Sequence, residues 1–454
     1  MRRPDTIEKL YLDFDGFFAS VEQQVRPSLR NRPVGVVPFE GTEHSCIIAC
    51  SREAKVAGVK SIMSVREARE VCPDLALVPQ SPDLYRRAHN ALTAEIMAVI
   101  PIAAIKSIDE LTCDVEISDR SNPDELGQRI KARLRQHVGA YITCSIGFAA
   151  NRQLAKMACK SGKWRGSAYG DGLAIWTPAD MPGPLLEQTL GDIPGIGSRL
   201  EKRLHAAKIF TVAELMATAP KQMRSLWGNV TGERLWYALH GYDVQTPPQG
   251  RGMYGHGRVL PPGHRSLQLA QDASRLLIIK AARRLRREGW YAGRLWLWLG
   301  LREKSWQNAI TLPAVRDDQA ILEALMALWK GALADLPLRT EVIQVHVTLL
   351  DLTKADERQL DNLLDDDRTR RRWEQATDAI DALNLKYGAT LVSVGPWTPP
   401  PGGYAGARSR TRASPRRKIS GELEDRSQTL RSRQPNPARN HLPFLRTFAL
   451  RDPR

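Results

Sequence analysis

Apolar and polar side chains alternate along Lys9-Leu10-Tyr11-Leu12-Asp13-Phe14, and the run breaks at Gly16. That period predicts a strand over residues 9–14, followed by a short helix over 17–25 that stops near Pro27. The β-branched run 34–37, held between Pro33 and Pro38, predicts a second strand. Residues 46–50 predict a strand entering a helix at 53–57, which Gly58 ends. A further helix is expected over 65–71, stopped by Pro73, and a long amphipathic one over 83–99. Strands are expected at 104–108, 111–117 and 141–148, with a helix over 124–138 between the last two. This alternation predicts an α+β sheet domain with helices on one face and its acid-bearing turns on neighbouring strands. After the break Met181-Pro182-Gly183-Pro184, helices dominate to about 243. A polar link over 246–252 leads to a second α+β unit over about 253–352. That unit holds a helix over 267–287, dense in Arg and Lys near its end, and the largely apolar strand Arg294-Leu295-Trp296-Leu297-Trp298-Leu299. Residues 355–397 read as acidic, then helical. Beyond Pro399 the chain is rich in Arg, Ser, Pro and Gly, too poor in apolar surface to fold, so 400–454 is expected to stay disordered.

Length and charge sharpen this picture. A chain of 454 residues exceeds one compact core and implies three or four domains. No run of 18 apolar residues occurs, which excludes a membrane-spanning helix, and the first residues lack the apolar core of a secretory signal. Six cysteines without paired CxxC spacing point to reduced thiols in a cytosolic protein. The net charge of +16 suits a polyanionic partner. Residues 402–454, however, hold 13 Arg/Lys against 4 Asp/Glu and so supply +9 of it.

The chemistry gathers in two acidic segments, Asp13-Phe14-Asp15-Gly16-Phe17-Phe18 and Ser107-Ile108-Asp109-Glu110. Each sets a carboxylate at the edge of an apolar run, which is unfavourable unless a positive charge neutralises it. Asp13, Asp109 and Glu110 together would offer hard oxygen ligands to divalent cations, and two such ions about 3.5–4 Å apart drive nucleotide transfer. Asp15 is expected to serve structure instead. Gly16, Phe17 and Phe18 would open a helix whose free N–H groups suit phosphate, and the Phe18 ring would collide with a ribose 2′-hydroxyl. Arg52 and Lys55 share a helical face. Lys156, Lys160 and Lys163 form a further cationic cluster. In Ile193-Pro194-Gly195-Ile196-Gly197-Ser198-Arg199, a tight hairpin between two helices, Gly195, Gly197, Ser198 and Arg199 could meet a DNA phosphate closely without reading sequence.

In order along the chain stand LDFDGFFASVE, SREAKVAGVKSIM, SIDE, LAKMACKSGK and the PGIG hairpin. On these five segments, over roughly residues 8–350, the chain resembles the Y-family (translesion) DNA polymerases. The resemblance implies a right-hand architecture: a ferredoxin-like palm (1–15 and 80–178), small fingers (16–79), a helix-hairpin-helix thumb (180–245) and a little finger (253–352). It implies a cytoplasmic, nucleoid-associated monomer that extends a primer on template DNA from dNTPs, past damaged bases and without proofreading. Asp13, Asp109 and Glu110, with the Phe14 carbonyl, would hold two Mg²⁺ ions. Phe18 would be the sugar gate, and Lys163 would bind the triphosphate. Where the family usually carries Tyr and Arg on the triphosphate, this chain has Arg52 and Lys55, and Ala49 replaces a nearby Thr or Ser. Lys55 lacks the bidentate guanidinium fork, so nucleotide should bind more weakly. Gln359-Leu360-Asp361-Asn362-Leu363-Leu364 loosely resembles a sliding-clamp-binding peptide. Two other readings remain: a catalytically weak accessory DNA-binding subunit on the same scaffold, and a helix-hairpin-helix nuclease or repair scaffold.

Overall fold

The strand expected first, β1 (Lys9–Phe14), lies near the middle of a five-stranded sheet. The computed structural model describes residues 1–39, 45–163, 172–245, 250–358, 366–387 and 390–394. The clamp-like segment 359–364 and the basic tail 400–454 lie outside the described residues. Two compact units divide the chain, the first Met1–Arg251 and the second from Gly252 onward.

In the first unit, α1 (Phe17–Val25) leaves β1 and enters the small three-stranded sheet of β2 (Val34–Val37), β3 (Ala49–Cys50) and β4 (Ala76–Pro79). Two short helices, α2 (Arg52–Val56) and α3 (Val65–Val71), stand beside that sheet, capped by Ser51 and Ser64. The long α4 (Pro82–Met97) returns to the main sheet, which β5 (Ile102–Ile105), β6 (Glu110–Asp114), β7 (Cys144–Ala149) and β8 (Leu173–Ile175) complete in the order β5-β6-β1-β7-β8. With α5 (Pro123–His137) between β6 and β7, the pattern is the split β-α-β of a ferredoxin-like fold.

Helices cover both faces of this sheet, not one. On one side α5 is close enough that a Cβ on Gly127 would strike Leu173 and Phe148. On the other, α6 (Arg152–Ser161) presses onto β7 at Gly147, where an added Cβ would lie 2.2 Å from the Ala155 carbonyl oxygen. Periodicity within one element does not say which face of a sheet a later helix chooses.

Beyond the sheet follow α7 (Gly183–Leu186), α8 (Ser198–Ala206), α9 (Val212–Ala217), α10 (Pro220–Trp227) and α11 (Val230–Leu239). Leu185, Ile193, Ile196, Leu204 and Leu239 join Leu154 and Met157 of α6 in one apolar cluster. The hairpin differs from expectation on its leading side: a 3₁₀ turn over Leu190–Asp192 precedes it, not an α-helix. Asn151 ties α6 to α11. It caps α6 through the Leu154 N–H and donates to the carbonyls of Ala238 at 2.8 Å and Tyr242 at 3.0 Å. Asn151→Ala should therefore lower stability by about 2 kcal/mol, one cap plus two lost hydrogen bonds to backbone carbonyls, which thermal unfolding would measure.

The second unit holds β9 (Tyr254–Val259), α12 (Leu267–Arg287), β10 (Trp290–Gly300), β11 (Ser305–Val315), α13 (Asp318–Asp335) and β12 (Gln344–Lys354). Its sheet order is β11-β10-β12-β9, with the helices packed over Leu295, Leu297, Leu299, Val345 and Val347. The helix α14 (Asp366–Tyr387) belongs to this unit. The buried Arg286 guanidinium of α12 donates to Asp318 at 2.7 Å and to Asp381 of α14 at 2.8 Å. Among the described residues no helix is long and apolar enough to cross a membrane.

Candidate active site

Antiparallel pairing of β1 with β6 sets Asp13 directly opposite Glu110, and pairing with β7 sets Ser145 on its other side. Cross-strand partners share a face, so the row Glu110–Asp13–Ser145 looks toward α6. Asp109 stands just before β6, and its carbonyl accepts the Phe14 N–H at 2.8 Å. The three acids separated by about a hundred residues of sequence thus meet at the ends of two adjacent strands. Ser107 braces the turn: its hydroxyl donates to the Asp109 carboxylate and accepts from the Glu110 N–H at 3.0 Å. From α4, His89 Nδ1 lies 2.7 Å from the Ile108 carbonyl oxygen.

Two lysines supply positive charge. Lys163 Nζ lies 2.6 Å from Asp13 Oδ1, and Lys156 Nζ lies 2.8 Å from Glu110 Oε1 and 3.0 Å from the Tyr11 hydroxyl. The third lysine of the cluster turns away, as Lys160 binds Asp192 at 3.0 Å. Helix period does not separate them, since Lys156 and Lys160 stand four apart on one face; Asp192 captures Lys160, and Lys163 lies beyond the end of α6, where it reaches Asp13.

Charge in this site is unbalanced. Desolvation pushes the Asp13 carboxyl up to about 6; Lys163 pulls against that, and the charges of Asp109 and Glu110 add to it. Burial alone would raise Glu110 as well, but hydrogen bonds from Lys156 and Tyr11 bring it below the usual carboxylate range. Burial alone would lower Lys163, yet Asp13 carries it above its ordinary value. One lysine does not neutralise Asp13 beside two more acids, and a divalent cation on hard oxygen donors would. Among the described residues no three acidic, imidazole or thiol groups already converge at ligand distance; Lys163, Lys156 and Ser107 each contact one of the carboxylates. The donor set fits Mg²⁺ once those contacts are exchanged.

Since folding raises the Asp13 pKa from 3.8 to about 6, the folded chain binds its proton more readily through that window. The Asp13 contribution to metal-free stability therefore falls as pH rises from 4 to 6. Metal binding should show the opposite trend. The Kd for Mg²⁺ should rise about tenfold per pH unit below pH 6, as protons compete for Asp13; calorimetric titration at pH 5, 6 and 7 checks this.

The remaining candidates surround this centre. Gly16 caps α1 in the left-handed conformation, φ +51°, and no side chain caps the first N–H groups of the helix. A Cβ on Gly16 would lie 2.7 Å from the Cys50 carbonyl oxygen and 3.8 Å from Lys55 Nζ, which brings that ammonium to the same helix start. Phe17 is buried, whereas Phe18 is half-buried and stacks on Tyr85, centroids 4.3 Å apart. Arg52 is exposed on α2. Asp15 is held in the structure by Thr143 at 2.9 Å and Ser145 at 2.8 Å. Gly195, Gly197, Ser198 and Arg199 are all exposed at the hairpin, with open space around both glycines. His89 and Tyr85 went unnoticed in sequence, and Ser107 was named within its acidic segment without a role; only the positions of Tyr85 and His89 one helical turn apart could have suggested a shared face.

A ferredoxin-like sheet with acids at the ends of two central strands, an uncapped helix start beside them and lysines above them is the arrangement of a nucleotidyltransferase of the polymerase-palm type. Comparison with known proteins agrees. Family models match residues 12–160 (impB/mucB/samB family), 191–243 (DNA polymerase-iota, thumb domain) and 251–362 (impB/mucB/samB family C-terminal domain). DNA polymerase IV of Moorella thermoacetica is 34% identical over 293 residues, 63% of this chain and 70% of the relative. DNA polymerase IV of Pelotomaculum thermopropionicum is 29% identical over 395 residues, 84% of this chain and 92% of the relative. In fold, the chain is like a Y-family DNA polymerase chimera of Dbh and Dpo4, at TM-score 0.63 and 21% identity over 76% of this chain and 99% of that one. The chain belongs to the impB/mucB/samB family, the Y-family of translesion DNA-directed DNA polymerases.

Proposed function

We propose that this chain extends a primer 3′-hydroxyl with dNTPs on template DNA, past damaged bases, using Asp13, Asp109, Glu110 and the Phe14 carbonyl to hold two Mg²⁺ ions. The observation that carries this reading is the register of β1 on β6, which pairs Asp13 with Glu110 and sets Asp109 beside them. When bound, the metal supplies a lowered pKa at the primer hydroxyl and neutralises charge on the triphosphate. The residues of the chain do the positioning. Uncapped N–H groups at Gly16, Phe17 and Phe18 receive phosphate oxygens. Lys163 transfers its charge from Asp13 to the triphosphate, while Lys55 and Arg52 approach from α2. Lys156 keeps Glu110 oriented. Phe18 excludes a 2′-hydroxyl. Gly195, Gly197, Ser198 and Arg199 grip the DNA backbone, a contact that positions without specifying sequence.

In this reading the palm, fingers and thumb make up 1–245, the little finger 253–352, and the extension 355–397 and tail 400–454 follow. The enzyme works as a cytoplasmic monomer on nucleoid DNA, with 359–364 as its clamp-binding peptide. The test is primer extension with Mg²⁺ on an undamaged template and on one carrying a single lesion. Extension through the lesion supports the proposal. Binding of primer–template with no extension of either would support the accessory-subunit reading, and shortened products would support a nuclease.

A further inference from the structure

Glu22 of α1 is a fully buried acid, and nothing in the reading above uses it. Its Oε1 accepts the Tyr85 hydroxyl at 2.8 Å, while Oε2 faces Arg26 at 3.5 Å without a hydrogen bond. A buried carboxylate is unfavourable unless it is paired and hydrogen-bonded, and the Tyr85 hydroxyl supplies its hydrogen bond. The Tyr85 ring is itself 1% exposed, and it lies under Phe18 almost parallel, at 16° and 4.3 Å between centroids. The Phe18 ring therefore rests on a second ring that a buried acid holds by its far end. Burial and the Glu22 charge also keep the Tyr85 phenol well above its ordinary pKa, so it donates at any working pH.

We propose that Tyr85 and Glu22 are positioning residues that fix the height of the Phe18 ring and thereby set discrimination between deoxyribose and ribose. The inference rests on the reading that Phe18 faces the sugar. A ring free to tilt by an ångström would open space for a hydroxyl, whereas a ring backed by a bonded aromatic cannot yield. Because α4 carries Tyr85 and, one turn on, His89 against the Ile108 carbonyl, one helix seats both the gate and the acid-bearing turn.

The test compares kcat/KM for dNTP and rNTP insertion in the full chain and its variants, with the melting temperature of each. Phe18→Ala reports on the reading beneath the proposal and should lose most of the discrimination. Tyr85→Leu removes the backing ring and should lower the dNTP-to-rNTP ratio by about tenfold. Tyr85→Phe keeps the stack but not the bond and should lose less. Glu22→Leu should match Tyr85→Phe, and Glu22→Gln, which retains an acceptor, should restore the parent ratio. If Phe18→Ala leaves discrimination intact, the gate reading fails and the proposal with it. If Phe18→Ala loses discrimination while Tyr85→Leu, Tyr85→Phe and Glu22→Leu keep it, the gate stands and the positioning role is overturned. Should Tyr85→Leu not fold, the milder Tyr85→Phe and Glu22→Leu decide the matter.

Discussion

Asp109→Ala should reduce primer extension at saturating Mg²⁺ and dNTP by about a thousandfold, equivalent to about 4 kcal/mol of lost transition-state stabilisation. The fold should survive. The structural contact Asp109 makes with β1 is through its backbone carbonyl, which accepts the Phe14 N–H and is present in alanine. Its carboxylate bonds the Ser107 hydroxyl at a half-buried site, so its removal strands no buried group. Loss of that negative charge also eases Asp13, whose raised pKa owes part of its shift to Asp109. Single-turnover extension beside thermal unfolding separates the two effects. Unimpaired extension would remove Asp109 from the chemistry.

Gly147→Ala is the largest stability effect we expect. The added Cβ would lie 2.0 Å from the Cys159 N and 2.2 Å from the Ala155 carbonyl oxygen, both backbone atoms of α6. Neither can rotate away, so the helix must lift from the sheet, and the loss should exceed about 3 kcal/mol. The same shift would carry Lys156 away from Glu110, and Lys163 beyond it away from Asp13. Chemical denaturation and extension should therefore fall together. A folded, fully active variant would show that the close approach of α6 is unnecessary. Gly147 itself is unremarkable in sequence, one small residue in a buried strand.

Local features of this fold were legible in the chain. Residues 17–25, 34–37, 65–71 and 267–287 form the elements their spacing predicts, because breakers and a local apolar pattern bound each one. Pairing was less so. Glu110 was expected at a turn; it begins β6 and pairs with Asp13, and that register is decided by contacts a hundred residues apart. Three lysines at helical spacing look equivalent until α6 is docked, after which two face acids of the main sheet and Lys160 faces Asp192. The 3₁₀ turn before the hairpin escaped notice for a related reason. The reciprocal cap between Thr189 and Asp192 is satisfied within one short turn, so the apolar neighbours Leu190 and Ile193 need no longer helix to become buried.

Counting bound metal tests the central claim most directly. Mn²⁺ titrated by electron paramagnetic resonance into the chain with primer–template and a non-hydrolysable dNTP should saturate at two ions per chain. In Asp13→Asn, at equal melting temperature, both should weaken severely. Equal binding by parent and variant, or none by either, would contradict the assignment of these three acids to a shared metal centre.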